Sequence, residues 1–366
     1  MTTPPTLCFV GHALGVHPGW ITTQAEVVAD LFEADGHPVR ITSRQISRFR
    51  RAADTVSCLV RWRATIDVAI VSVFSGGAFA QADLASEAAR ALGLPTVLWL
   101  HGGNLPRFID RHPTWARRVL HRADAIVAPS DYLARPVRAQ GAAVEVIANV
   151  VDLTRCPYRA RPSLAPRLLW MRTFQEDYNP VMAVTALHEL RRTHPDATLT
   201  MAGQDDGFLD QTRAAAGRLG VADAVDFVGF LDAETKPAVF AAHDIYLHTN
   251  HIDNTPVSVI EAGAFGLPII ATDVGGLADL VTHGASALLV ADDDALAMAV
   301  AVRRLLGDPD LARRLSAGGR AMADESAWTE VAPQWLELCG RVIAAHAAHA
   351  GGSGGDDREQ PGGGAG

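Results

Sequence analysis

Short apolar runs alternate with helical stretches along almost the whole chain, and this alternation narrows the fold more than any other feature. Strands are expected over 7–10, 39–42, 68–73, 96–100, 125–128 and 144–147, and again over 168–171, 199–202, 225–228, 245–248, 269–272 and 287–290. Helical patterns fall between them, notably over 22–34, 180–193, 208–219 and 295–306, with a further helix from 328. Strands separated by helices join as parallel sheets covered on both faces. A length of 366 residues suits two such units. The fold class is therefore α/β, with two Rossmann-like doubly wound domains facing across a cleft. The expected division is a domain over 1–150, a hinge rich in Pro and Arg over 151–166, and a second domain over 167–327. A C-terminal helix over 328–350 and a Gly-rich tail over 351–366, too poor in apolar residues to fold, complete the chain.

Composition removes several classes. No run of 18 apolar residues occurs, and the N-terminus lacks a charged-then-apolar signal, so a cytoplasmic protein is expected. Cys8, Cys58, Cys156 and Cys339 fit no metal or redox spacing. Residues 1–150 carry 15 Arg against 12 acids, whereas residues 151–366 carry 17 basic against 29 acidic residues, which together give the net −9. An acidic chain without a recognisable module is not a nucleic-acid binder. Within 40–63, Arg40, Arg44, Arg48, Arg50, Arg51, Arg61 and Arg63 face Asp54 alone, with Ile46, Phe49 and Trp62 interleaved. This patch is read as a solvated helix face or an acceptor-cleft wall; a peripheral contact with an anionic membrane is the alternative. Lys236 is the single lysine.

Residues 253–268 read as a polar loop, a helix and a sharp stop before an apolar strand. Thr255 is the expected cap, Pro256 suits the first turn, and Gly266 with Pro268 ends the helix. Such a helix start offers free N–H groups and a positive dipole end to an anion. Asp253 stands beside that point, and Glu261, eight residues on, lies deeper, where it can accept bonds from hydroxyls. Arg172 follows the strand 168–171, so its planar fork can enter the cleft and meet a diphosphate. His101 ends the strand 96–100 before Gly102-Gly103-Asn104, a polar residue at a strand's carboxyl end. The Gly11–Gly19 turn is neither Gly-x-Gly-x-x-Gly nor a Walker loop, and no acid ends the second strand, so a nicotinamide site is poorly supported. Asp292, Asp293 and Asp294 sit where a helix begins, so capping explains them without a metal.

The segment 253–268 resembles the signature of the family 4 retaining glycosyltransferases, a Glu, seven residues and a second Glu on a loop-to-helix unit closed by Gly-x-Pro. Glu261, Ala262, Gly266 and Pro268 match, and Asp253 stands where the family usually carries Glu. The resemblance covers roughly residues 5–345 and implies the GT-B architecture. It also implies a nucleoside-diphosphate-sugar donor and no metal or other cofactor. On that likeness, His101 meets the donor sugar with Asn104 assisting, and Gly19 lies against the diphosphate. Arg172 is the first member of an Arg…Lys pair whose Lys is absent from 173–180, where Tyr178 and Asn179 are the substitutes on offer. Gly203, Phe230 and Leu231 resemble the cradle of the base, and Glu261 would accept the ribose hydroxyls. Asp253, Asn254, Thr255, Pro256, Val257 and Ser258 would lie near sugar and phosphates. The acceptor, a glycan, a lipid-linked or a small molecule, is left open, with polysaccharide biosynthesis as the expected setting. A non-catalytic sugar-nucleotide-binding relative and a sugar-nucleotide epimerase stand as the other readings.

Overall fold

The computed structural model describes residues 4–17, 20, 22–161 and 163–352. Strands β1 (Leu7–Val10), β2 (Val39–Thr42), β3 (Val68–Val73), β4 (Thr96–Leu100), β5 (Ala125–Ala128) and β6 (Glu145–Val146) form one parallel sheet, ordered β2-β1-β3-β4-β5-β6. Strands β7 (Arg167–Met171), β8 (Thr198–Ala202), β9 (Val225–Gly229), β10 (Ile245–His248), β11 (Ile269–Thr272) and β12 (Leu288–Val290) form the other, ordered β12-β11-β10-β7-β8-β9. Every residue of β3, β4, β10 and β11 is buried, as strands covered on both faces must be.

The first half carries helices α1 (Gln24–Ala34), α2 (Arg48–Trp62), α3 (Gly77–Ala91), α4 (Leu105–Arg111), α5 (Pro113–Leu120) and α6 (Asp131–Ala139). The second carries α7 (Pro180–Arg191), α8 (Leu209–Arg218), α9 (Lys236–Ala242), α10 (Val257–Ala264), α11 (Leu277–Leu280), α12 (Ala295–Gly307) and α13 (Pro309–Asp324). Helix α1 starts two residues later than the pattern suggests. Thr23 accepts from the Glu26 amide while Glu26 Oε2 accepts from the Thr23 amide at 2.8 Å, and this capping box excludes Thr22. Asp294 caps α12 by accepting from the Ala297 amide at 2.8 Å, whereas Asp292 binds His251 and Asp293 binds Asn179, so each member of the acidic triplet has a protein partner.

Strand order fixes where a ligand can sit. The second sheet has the order of a dinucleotide-binding sheet, and its direction reverses between β7 and β10; the first has the flavodoxin-like order, with its reversal between β1 and β3. The chains diverge above those two points and leave a crevice at the carboxyl ends of the strands.

The last helix, α14 (Trp328–Gly352), returns to the first sheet. Trp335 packs edge-on against Trp99 with centroids 4.8 Å apart, and Trp328 packs against Phe32 at 4.6 Å. Val331, Leu338, Cys339 and Val342 join Phe9, Val28, Ile70 and Val97 in the same core. Each large side chain so buried contributes about 1.5–3 kcal/mol. The two passages between halves run side by side, the Val151 amide bonding the Ser326 carbonyl at 3.0 Å. Of the expected tail, Gly351 and Gly352 end α14, and 353–366 lie outside the described residues.

The segment expected to be a hinge is anchored by Arg161, a fully buried guanidinium. It donates to the carbonyls of Phe240 and Phe265, at the ends of α9 and α10, and to those of His243 and Arg159, over 2.7–3.1 Å. The Phe240 carbonyl also takes a long bond from the His243 amide, at 3.4 Å, and the Phe265 carbonyl one from the Arg159 amide, at 3.3 Å; Arg161 completes these helix ends where water is excluded. Replacing Arg161 by Met is expected to cost about 3 kcal/mol or more, because each orphaned carbonyl carries a penalty of about 1–3 kcal/mol. Urea unfolding of the variant against the parent chain measures it.

Candidate active site

The site is built around the loop from β10 to α10. Arg172, one residue past β7, donates through Nη2 to Asp253 Oδ2 at 2.7 Å. The same oxygen accepts from Asn250 Nδ2 at 2.7 Å and from His248 Nε2 at 3.2 Å, while Oδ1 accepts from the Asn254 amide at 2.8 Å. The carboxylate requires a proton on His248 Nε2, which leaves Nδ1 as an acceptor, and Nδ1 is buried with no partner among the described residues. Burial alone would raise the Asp253 pKa, but Arg172 and the His248 bond outweigh it and hold the carboxyl below its ordinary value. Arg172 moves the other way: burial opposes its charge, and Asp253, followed by Tyr178, more than restores it. Its guanidinium lies 4.0 Å from the centre of the Tyr178 ring.

Two expectations are corrected here. Arg172 is not a free cation in the cleft, since Asp253 already neutralises it, although its buried Nε keeps no partner among the described residues. Thr255 is not the cap of α10. Pro256 holds that position, and the Thr255 hydroxyl and carbonyl instead accept from Asn149 Nδ2, both at 3.0 Å. No side chain therefore caps α10, and the amides of Val257 and Ser258 donate to no described residue. The Ser258 hydroxyl is likewise buried without a partner. Gly266 ends the helix as expected, with φ at +79° and no room for a Cβ against the Arg159 carbonyl.

His101 reaches the same place from the first half. Its ring stacks on Phe74 at 4.7 Å and leans on Trp99 at 4.6 Å. Burial, with His12 nearby as the lesser cause, lowers its pKa to about 3, so the imidazole is neutral at ordinary pH. Its Nε2 is buried with no partner among the described residues. Gly103 presses onto the backbone of Asp253, where an added Cβ would stand 2.9 Å from Cα. Ser130 hydrogen-bonds Asn254, and Arg135 pairs with Asp279 at 3.0 Å, so the halves meet directly over the loop. Asn104 is exposed at the start of α4, and its side chain bonds none of these residues.

Glu261, in the second turn of α10, binds Lys236 Nζ at 2.7 Å, so the chain's one lysine is committed to it. Gly203 packs beneath Arg172, with its would-be Cβ 1.8 Å from the Arg172 carbonyl oxygen. Phe230 is 44% exposed after β9, and neither it nor Leu231 bonds to the Asp253 group. Asn179 is spent on capping α7 and on Asp293. Gly19 lies outside the described residues. A groove of about 410 Å³ between β12 and α12 shares no residue with this site.

Sequence reasoning missed His248, Asn250, Ser130 and the Gly275-Gly276 pair. A Cβ on Gly275 would fall 1.9 Å from the Asp253 carbonyl oxygen, and one on Gly276 2.6 Å from that of Asn254. The doublet just after an apolar strand was the available signal; the others look like ordinary loop or strand-end residues.

The sequence profile described as "Glycosyl transferases group 1" matches residues 160–322, and that described as "Glycosyltransferase Family 4" matches 12–155. The chain is 34% identical over 197 residues to a glycogen synthase of Mycobacterium tuberculosis, covering 52% of this chain and 47% of that protein. It is 30% identical over 267 residues to a 2-deoxystreptamine glucosyltransferase of Streptomyces kanamyceticus, covering 65% of this chain and 68% of that one. The chain thus spans about half the length of the first and two thirds of the second. Among solved structures, Anabaena Alr3699/HepE in complex with UDP and glucose superposes with a TM-score of 0.74 at 16% identity, over 92% of this chain and 100% of that one.

The pH response follows from His101. Between its folded pKa of about 3 and its ordinary 6.5, the unfolded chain binds a proton that the folded chain refuses. Stability should therefore fall as the pH drops below about 6.5, by up to about 1.4 kcal/mol per pH unit from this residue alone. His101→Gln should flatten that slope, as read from urea unfolding between about pH 7 and 5. An equal slope in the variant would contradict the neutral buried imidazole.

Proposed function

The chain belongs to the group 1 glycosyltransferases, the family 4 kind, and from that premise we propose a retaining enzyme that moves a sugar from a nucleoside-diphosphate donor to an acceptor. The observation that carries the reading is the uncapped start of α10, whose free Val257 and Ser258 amides follow the loop that binds Arg172 through Asp253 and packs under Gly103 beside His101. A diphosphate before that helix end would be met by backbone N–H groups and the positive dipole end. Arg172 would share its unpartnered Nε with the departing phosphate as the bond to the sugar breaks.

In this proposal, the acceptor attacks from the face the diphosphate leaves, and its proton passes to the leaving phosphate oxygen. The neutral His101 has an unpartnered Nε2 for a sugar hydroxyl, and burial keeps it from charging as the reaction proceeds. Glu261, held by Lys236 through Oε1, would accept ribose hydroxyls. Gly203, where any Cβ would strike the Arg172 carbonyl, lets the end of β8 pack against the Arg172 backbone beside the proposed site of the base. In this proposal no metal and no cofactor beyond the donor take part, and the positive end of α10 faces the diphosphate. A cytoplasmic setting goes with this reading; among the described residues, no helix is long and apolar enough to cross a membrane.

One observation favours a second reading, a sugar-nucleotide-binding protein without turnover. Asp253 is already met by Arg172, His248, Asn250 and the Asn254 amide, so a cation that the leaving group needs is neutralised within the protein.

Thermal shift with UDP, GDP, ADP and TDP, with and without magnesium, separates these readings from no binding at all; selective stabilisation by one nucleotide, unchanged by magnesium, is the expected result. With the sugar of that nucleotide, turnover should give a product with the donor's anomeric configuration, read by proton NMR. Arg172→Ala should reduce turnover by about 10²–10³. Inversion at the anomeric carbon would reject the retaining mechanism, and full turnover in Arg172→Ala would remove that residue from the site.

A further inference from the structure

The first sheet has its own switch point, between β1 and β3, and a small cleft opens there against the first turns of α3. Gly11, His12, Ser72, Phe74, Ala78 and Gln81 line it. Ser72 is 8% exposed, turns to the cleft beside Gly11, and no described residue bonds its hydroxyl. The Gln81 Nε2 atom is fully buried and also has no described partner. Phe74 stacks on His101 at 4.7 Å and packs at a tilt against His12 at 4.8 Å. The cleft thus adjoins the imidazole that a donor sugar would meet.

The mouth of this cleft is positive. Helix α3, 15 residues long, starts behind Gly76, whose φ is +66° and which gives no side-chain cap. Arg48 Nη1 stands 3.5 Å from the place where a Cβ of Gly77 would lie, and pairs with no described acid. Arg51, next along the same face of α2, keeps a buried Nε without a partner, and its Nη2 bonds only the Ile46 carbonyl, at 2.9 Å. Burial first and Arg48 second pull its pKa below the ordinary guanidinium value, the mark of a positive group lacking a counterion. Asp54, the lone acid of the 40–63 patch, is engaged by the Ser43 hydroxyl instead.

We infer that the acceptor carries a phosphoryl group, seated by Arg48, Arg51 and the free amides at the start of α3, with Ser72 bonding a hydroxyl on the way to the donor sugar. Two guanidinium charges beside a helix N-terminus, without a protein carboxylate to meet them, match a dianion rather than a neutral sugar. The inference rests on the glycosyl-transfer reading of the neighbouring crevice. The phosphoryl group belongs either to a soluble sugar phosphate or to a phospholipid headgroup; in the second case Phe49, 90% exposed on α2, would meet the lipid.

Titration calorimetry with glucose 6-phosphate, and with glucose as control, tests this in the full chain. Saturating nucleotide keeps the donor site filled; should no nucleotide bind, the Arg172→Gln background serves, and the donor reading falls on its own evidence. Glucose 6-phosphate should bind where glucose does not, and Arg48→Gln should weaken it by about tenfold, with Arg48→Gln/Arg51→Gln weaker still. Flotation with phosphatidylinositol against phosphatidylcholine vesicles forms the second arm. Binding to the former alone, lost in the same variants, assigns the headgroup. Nucleotide stabilisation should be equal in parent and variants, which shows that they fold. If neither glucose 6-phosphate nor the anionic vesicles distinguishes the parent from Arg48→Gln, the inference is wrong.

Discussion

A carboxylate taken out of water stays ionised only if donors and a counter-charge replace the solvent, and Asp253 obtains both from its surroundings. Arg172 comes from the end of β7, His248 from the end of β10, and Asn250 from the loop between β10 and α10. These groups converge because β7 and β10 are parallel neighbours at the point where the strand order reverses, so the two strands deliver their carboxyl ends side by side. The chain then has to turn in a narrow space. Gly275, Gly276 and Gly103 close over the loop's backbone where any Cβ would collide with it. The position of α10, and with it the unpaired amides at its start, goes with that buried charge.

The same loop joins the halves. Ser130, Asn149 and Gly103 of the first half touch Asn254, Thr255 and Asp253 of the second, so a ligand before α10 would lie against residues of both. Behind it, α14 ties the chain's last turns to the core under β4 through Trp335 and Trp99, while Arg161 fastens the connecting segment to the ends of α9 and α10. Several of the buried groups left without partners among the described residues lie at the crevice, Nε2 of His101, Nε of Arg172 and the hydroxyl of Ser258 among them, while Nε of Arg51, Nε2 of Gln81 and the indole nitrogen of Trp335 lie elsewhere. An unpaired buried polar atom costs stability, and concentration of such costs in one place is what a binding site requires.

Most of the fold was legible because strands covered on both faces are unbroken apolar runs, as in Val68–Val73 and Thr96–Leu100. The misjudged boundaries lie mainly at edge strands such as β6 and β12, where one side is open and the apolar pattern thins, or at α1, where a capping box decides the start. The candidate residues His101 and Arg172 were readable because each follows a strand directly, and Asp253 because it precedes a recognisable loop-to-helix unit. What they do to one another was not. That Arg172 would be neutralised by Asp253, that Lys236 would hold Glu261, and that Thr255 would give up its cap to Asn149 depends on contacts across more than 20 residues of chain, which no local pattern encodes. The arginines of 40–63 were visible as a patch, but their meeting with the start of α3 needed the sheet order.

The central claim is that a nucleotide occupies the crevice before α10 and touches both halves. Hydrogen–deuterium exchange with and without saturating nucleotide tests it most directly, since it reads the affected backbone amides themselves. The account predicts protection at 253–259, at the Val257 and Ser258 amides above all, together with protection at 101–104 in the first half. Protection confined to one half, or centred on the groove between β12 and α12, would contradict it.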